Sequence, residues 1–344
     1  MEAEGSGDAM KLDRGCPQFL FDDALIAYQQ RVTRRWLPAT VFPRPAIEPD
    51  RPWEGRILAL YGTVLPDPAG GWRMYYTNFR AGKPTQVFLA TSPDGFVWER
   101  PSLGLVDWNG SRANNIVLAP EWHMDAPSVA YDPADPAAPY KMLAFLAGPG
   151  ETWGATWGLY AHLSKDGLRW TQMPGVRLRA GDRTNVMVDR SGGKFVALTR
   201  HPEMAAQTGG RAVYRSESVD FREWSEPELV MAPDRYDEPN VQIYGMSAFE
   251  RHGWHFGLVE YWHDTPDVIE THLAISRDGR QWLRPLPRSP FIGPASDWNR
   301  AWSTCASNGP IIINEQMVFY FGGRWVAHGC DSAQQYGAIG FASL

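Results

Sequence analysis

The chain has 344 residues, a formal net charge of −6 and 44% hydrophobic residues, enough for one or two globular domains with a sizeable core. The acidic balance leaves no basic surface for nucleic acid. No run of eighteen apolar residues is present to cross a bilayer, and three cysteines, Cys16, Cys305 and Cys330, do not make a disulfide framework. The segment Met1–Lys11 is acidic and polar and lacks the apolar core of a secretory signal. A cytoplasmic protein is therefore expected, with residues 1–14 as a disordered tail and residues 15–344 as one domain.

Along the chain, short apolar strands alternate with turn residues. Phe19–Ile26 reads as an N-terminal strand. Strand pairs with their own turns follow at Gly62–Tyr76, at Ser128–Pro133 with Tyr140–Ala144, at Asn185–Leu198, at Gly245–Leu258 and at Gly309–Phe321. After each of the first four comes a further apolar strand, Val87–Thr91, Gly158–His162, Ala212–Arg215 or Thr271–Ile275. Each of these runs into one motif: Ser92-Pro-Asp-Gly-Phe-Val-Trp98, Ser164-Lys-Asp-Gly-Leu-Arg-Trp170, Ser218-Val-Asp-Phe-Arg-Glu-Trp224 and Ser276-Arg-Asp-Gly-Arg-Gln-Trp282.

In this motif the Asp bonds its own backbone two residues on and the Gly supplies a positive φ. Phe221 stands in place of Gly in the third copy, which predicts a different turn there. The tryptophan is expected to fill the gap between neighbouring sheets while its N–H finds a partner at the rim. The tryptophans are too far apart for short helical repeats and suit one four-stranded sheet per copy. The prediction is an all-β, five-bladed β-propeller whose last blade is completed by the N-terminal strand around Phe19–Ile26, closing the ring and leaving no open sheet edge.

In such a ring the innermost strands line a central channel, so the residues leading into them converge from distant positions. These are Pro52-Trp-Glu-Gly55, Trp122–Pro127, Gly181–Asn185, Asp237–Tyr244 and Asp297–Trp302, each with at least one carboxylate. Acids sharing a cavity repel, so one holds its proton near neutral pH while others stay ionised. Glycoside hydrolysis uses that division: a protonated acid for the leaving oxygen and an ionised partner for water or the sugar. The competing explanation is that Asp or Asn before a strand merely caps a turn.

Asp125 is the leading candidate, as a second base or a group that tunes and orients. Glu54 is a candidate base or water-activating group. Asp182 precedes Arg183, whose guanidinium either binds a substrate hydroxyl or pairs with Asp182. Glu238 is the candidate general acid, beside Asp237 as a solvent-facing cap. Glu260 lies in the apolar run Gly257–His263, where a carboxylate is either functional or half of a structural ion pair. Around these acids Trp53, Trp122, His123, Arg183, Arg200, His201, Gln242, Tyr244, His263, Arg300, Trp302 and Arg324, the last near His328, are candidate substrate contacts. The same Arg and His residues would equally tie blade loops together, and the 16 tryptophans serve packing as readily as stacking on sugar faces. No spaced set of His, Cys or Asp reads as a metal site, and neither a phosphate-binding Gly-rich loop nor a nucleophile elbow occurs, so no metal or cofactor is expected.

The stretches Phe19–Ile26, Pro52–Gly55, Asp107–Val117, Pro127–Pro133 and Ser216–Pro227 resemble the five-bladed propeller glycosidases, the group holding invertase-like family 32, arabinanase-like family 43 and the mannoside phosphorylases of family 130. More narrowly the chain resembles bacterial family 32-like glycosyl hydrolases. It departs from family 32 enzymes in lacking their Trp-Met-Asn-Asp-Pro-Asn-Gly, Arg-Asp-Pro and Glu-Cys motifs. The resemblance implies an acid from each of three blades, which Glu54, Asp125 and Glu238 match by position.

The expected activity is hydrolysis, with inversion, of a small saccharide or glycoside. The alternatives are a glycoside phosphorylase, which needs two or three of Arg183, Arg200, His201, Arg300 and Arg324 in one pocket, and a non-catalytic carbohydrate-binding propeller. The expected partner is a small carbohydrate, and oligomeric state is open.

Overall fold

The computed structural model describes residues 15, 18–79, 84–148, 156–190, 192–327 and 335–344. The predicted tail over residues 1–14, together with Cys16, His328 and Cys330, lies outside the described residues. Strand dominates, and among the described residues helix is limited to the single turn Ala205–Thr208 and the 3₁₀ turns Pro202–Met204 and Asp297–Asn299. No described helix is long and apolar enough to cross a membrane.

The strands form successive antiparallel runs, each a meander leading outward. The first is Ile57–Ala59, Trp72–Phe79, Val87–Ser92 and Ile116–Leu118; the second is His123–Tyr131, Tyr140–Ala147, Gly158–Ser164 and Thr171–Gln172. The third is Thr184–Asp189, Lys194–Thr199, Val213–Ser218 and Glu228–Met231. The fourth is Val241–Arg251, Trp254–His263 and Val268–Ser276, with Leu283 bridged to Ile275. The fifth is Trp302–Cys305, Gln316–Arg324, Gly337–Ser343 and Thr40–Val41. Single parallel pairs, Ile269 with Trp302 and Ile57 with Gly337, join the fourth, fifth and first runs edge to edge. The architecture is β-propeller-like. Inner-layer strands such as Tyr140–Ala147 are buried along almost their whole length because runs pack against both faces, so they read as continuous apolar stretches rather than alternating ones.

Three expectations need correction. The N-terminal strand that pairs with the C-terminal Gly337–Ser343 is Thr40–Val41, in register Thr40–Ser343 and Val41–Ala342, and not Phe19–Ile26. Phe19 and Phe21 instead stack on each other at 5.1 Å, and Phe21 meets Trp254 and Phe256 edge-on. Asp22 is held by Arg277, so this stretch is anchored by side chains rather than by a ladder.

Second, the turn at Phe221 differs less than expected: its Ser218 Oγ accepts from the Asp220 N–H, where Ser92 Oγ accepts from the Gly95 N–H, but the bonds to the turn Asp are kept. Asp220 Oδ1 accepts from the N–H groups of Arg222 and Glu223, as Asp94 Oδ1 does from Phe96 and Val97, and Phe221 itself adopts φ +62° against +81° at Gly95. A left-handed conformation costs a non-glycine residue about 1–2 kcal/mol. Complete burial of the ring against Phe195 and Trp224 offsets that cost. Third, among the described residues Trp98 donates its N–H, to Gly95 O at 3.1 Å, while the buried Nε1 atoms of Trp170, Trp224 and Trp282 have no partner. Their rings do sit between runs: Trp98 packs on Tyr320 of the fifth run, and Trp170 on Tyr75 of the first.

Apolar clusters lie between each run and the next, including one that joins the fifth run to the first through Val318, Tyr320, Phe88 and Tyr76. Where the inner strands meet, side chains reach across to backbone. Val129 N–H donates to Thr63 Oγ1, Val186 N–H to Ser128 Oγ, Asn185 Nδ2 to Met246 O, Thr271 Oγ1 to Ser303 O, and Ser307 Oγ to Tyr61 O. These links connect first to second, second to third, third to fourth, fourth to fifth and fifth to first runs.

Candidate active site

Two inner strands are irregular where they face the centre. In His123–Tyr131 the register slips between Asp125 and Ser128, and Ala126 takes φ +44°. In Val241–Arg251 it slips between Ile243 and Gly245, at Tyr244. A bulge re-aims the side chain beside it, and both bulges bring residues into one central group: Ala126 and Tyr244 pack with Ala59, Tyr61, Ile269 and Trp302.

Asp125 is buried beside Ala126, whose N–H donates to its Oδ1 at 2.7 Å. Burial first, and then the negative charge of Asp182, push the Asp125 carboxyl up to about 8, against the weaker pull of Arg324 and Arg183. Asp182, with 37% of its side chain exposed, is ion-paired with Arg200, and it also acts electrostatically on His123 at the rim. Beneath them Arg183 forms a forked, fully buried ion pair with Glu260, Nε to Oε2 at 2.8 Å and Nη2 to Oε1, and donates further to Asn185 Oδ1 and Cys305 O. Gly245 leaves room for that pair, since a Cβ there would lie 2.5 Å from Arg183 Cγ and 2.8 Å from Glu260 Oε2. The Arg183 guanidinium also lies under the Tyr61 ring at 4.7 Å, and Tyr61 and Tyr244 share a hydroxyl contact of 3.3 Å.

The structure thus brings together Asp125, Asp182, Arg183, Arg200, Tyr244, Glu260, Trp302 and Arg324 of the predicted set. Others it sets apart. Glu54 is fully buried in the first run, with Oε1 accepting from Tyr76 Oη at 2.6 Å and Arg100 Nε at 2.8 Å, while Trp53 bonds Asn115 and packs in the cluster between the fifth and first runs. Glu238 has 73% of its side chain exposed and lies 3.6 Å from His263 Nδ1, which is itself bonded to Glu270. Its neighbour Asp237 is the buried one, held by Arg284 and Arg288, the reverse of the expected solvent-facing cap. Trp122 faces outward into a cavity of about 320 Å³ with His162 and Trp170. His201 is bonded to Thr199 and Glu203, Arg300 to the carbonyl of Trp325, and Gln242 accepts from the Arg211 N–H.

Sequence reasoning missed Tyr61 and Arg211. Tyr61 stands two residues beyond the first inner strand, Ile57–Ala59, a position that its place in the repeat would have flagged. Arg211 follows the helical turn Ala205–Thr208 and reaches the centre across a loop, stacking over Tyr244 and Trp262 at 4.7 and 4.8 Å; no local pattern marks it. A separate apolar cavity of about 680 Å³, lined by Phe19, Phe21, Trp36, Phe249 and Phe319 among others, lies at the far end of Val241–Arg251 from Tyr244.

Chemically, the centre holds one carboxyl that keeps its proton near neutral pH beside two carboxylates each held by a guanidinium, with aromatic rings around them.

An N-acetylgalactosamine deacetylase from F. plautii, solved with blood group B trisaccharide, superposes with a TM-score of 0.62 at 14% identity over 89% of this chain and 94% of its own. The fold is that of the propeller glycosidases. A β-1,2-mannobiose phosphorylase from Listeria innocua, in complex with β-1,2-mannobiose, gives 0.61 at 14% identity over 89% and 96%. A glycosyl hydrolase from Bacteroides ovatus gives 0.60 at 13% identity over 89% and 92%. No protein-family model matches the chain, and no curated protein matches it in sequence.

Proposed function

We propose that residues 15–344 form one five-bladed propeller, closed by Thr40–Val41 on the C-terminal strand, and that the chain is a cytoplasmic glycoside hydrolase acting on a small saccharide or glycoside. Asp125 is the general acid, giving its proton to the leaving glycosidic oxygen. Asp182 is the general base, taking a proton from the attacking water. The observation that carries this reading is the pairing itself: a buried carboxyl with no hydrogen-bonded cation among the described residues, raised first by burial and then by the charge of a more exposed carboxylate from the next run. An oxygen already held by Arg200 is better suited to orienting water than to attacking carbon, so the anomeric configuration inverts. Arg183, Tyr61 and Tyr244 shape the floor, and Trp302 offers an apolar face beside them. Glu54 and Glu260, each tied to its own arginine, hold the fold together, and Glu238 belongs to the rim.

Phosphorolysis is the second reading, favoured by one observation: Arg183, Arg200 and Arg324 all act on the Asp125 group. The test is a screen of aryl glycosides and disaccharides with and without inorganic phosphate, repeated on Asp125→Asn. Phosphate-independent turnover that is lost in the folded variant, with the first-formed anomer inverted by NMR, is the expected result. Turnover that survives the substitution removes Asp125 from the chemistry.

A further inference from the structure

The central site contains more positive charge than its own acids balance. Glu260 neutralises Arg183 and Asp182 neutralises Arg200. Two guanidiniums are left over. Arg324 is only 7% exposed, lies 4.1 Å over the Trp302 ring and 5.3 Å over Phe79, and has no carboxylate within ion-pair distance and no hydrogen-bond acceptor among the described residues. Arg211 lies over Tyr244 and Trp262, and its buried Nη1 likewise has no partner among the described residues. Asp125 does not balance either of them near neutral pH, because it keeps its proton up to about 8.

Stacking on an aromatic face orients a guanidinium and supplies some attraction, but it leaves the in-plane N–H donors unused. A buried cation without a counterion is unfavourable unless a ligand supplies one. A neutral sugar would offer hydroxyls to these donors and leave the charge uncompensated. A planar carboxylate offers two parallel acceptors in the geometry of the guanidinium fork and cancels the charge.

We propose that the substrate of this site is a glycoside bearing a carboxylate, as in the uronic acids, with that carboxylate held by Arg324 and drawn in by the field of Arg211. This rests on the glycosidase reading for the bond that is cleaved, though not for the binding. Arg324 acts on Asp125, so the carboxylate belongs to the sugar whose bond Asp125 protonates rather than to a distant unit.

The experiment compares matched pairs of aryl glycosides that differ only at C6, carboxylate against hydroxymethyl, and measures binding of the free uronic acids by calorimetry to wild type, Asp125→Asn and Arg324→Gln. The expected outcome is a kcat/KM preference for the uronide of about 10²-fold that falls to near unity in Arg324→Gln, with Arg324→Lys intermediate because it keeps the charge and loses the fork. Reading the ratio within each variant separates the effect from any general loss of stability. Uronic acids should also bind Asp125→Asn as tightly as wild type. Should they bind while no glycoside of either kind is cleaved, the glycosidase reading falls and only the carboxylate-binding part of this inference stands. Cleavage of neutral glycosides with no binding or cleavage of uronides overturns the inference and leaves that reading intact. Turnover that requires inorganic phosphate overturns it as well, since the anion would then be a co-substrate.

Discussion

Glu260 and Asp125 are both buried carboxyls at the centre of the molecule, and their surroundings are opposite. Glu260 receives a forked Arg183, which is itself tied to Asn185 and to the carbonyl of Cys305. Asp125 receives one backbone N–H and faces a second carboxylate. Burial removes water from each, so each must find a cation or keep its proton. Glu260 has found the cation. Asp125 is left with the proton, and a proton held in place near neutral pH is what general acid catalysis requires. Glu54, closed off by Arg100 and Tyr76, belongs with Glu260. The contrast separates acids that organise the fold from the acid available for chemistry, although all were alike as carboxylates near a central strand.

The largest effects test that division directly. Glu260→Gln should lower the free energy of unfolding by about 3–5 kcal/mol, because it strands Arg183 as an uncompensated buried charge. Denaturant midpoints measure this. Asp125→Asn should cost no stability at neutral pH and should gain some, since the near isostere has no carboxyl whose proton the unfolded chain releases, yet lower kcat by about 10²–10⁴-fold. If instead the two variants show similar stability losses, Asp125 is a structural group and the contrast is lost.

Stability against pH sharpens it further. The Asp125 carboxyl is raised from 3.8 to about 8 in the folded chain, so between those values the native state holds a proton that the unfolded state has released. Stability from this group is therefore full below about pH 4 and declines as pH rises towards 8. The difference between wild type and Asp125→Asn in thermal midpoint should grow in favour of the variant over that window and level off above it. A difference that stays constant from pH 4 to pH 8 would mean that Asp125 is ionised throughout.

The contrast also marks what the sequence could reveal. Hairpins and Trp-bearing turns were legible because their signals are local: a turn Asp, a positive-φ position and an apolar strand on either side, all within one repeat. That Asp125 and Asp182 converge follows from the same repeat, because Asp125 lies among the first residues of one inner strand and Asp182 just before the next. Which acids are neutralised was not legible. Glu54 is closed by Arg100 and Asp237 by Arg284 and Arg288, partners from other segments that no spacing rule connects. Asp237 and Glu238 consequently exchanged their expected exposure, although they are adjacent. Phe221 shows the same limit from the side of propensity, since tertiary burial holds a bulky residue in a conformation that local rules reserve for glycine. Arg211 had no signal because a loop carries it inward, and its partners are aromatic rings from the fourth run.

The smallest effect concerns how the proton on Asp125 is held. Burial is the leading cause of the rise and the charge of Asp182 the second, so the two can be separated by removing only the charge. Asp182→Asn keeps the shape of the side chain and leaves Asp125 buried. Its titration should then move below the wild-type value of about 8 while remaining above that of an exposed carboxylate. Arg200, released from its ion pair in this variant, pulls in the same direction, because a cation nearby favours the ionised form of Asp125. Carbon-13 NMR of labelled aspartate measures the titration without relying on turnover, which this substitution should also lower because it removes the proposed base. An unchanged titration would assign the whole rise to burial and break the electrostatic link between the acids. A shift all the way to the ordinary carboxylate range would make repulsion the dominant cause, and Asp125 would then differ from Glu260 in its neighbour rather than in its burial.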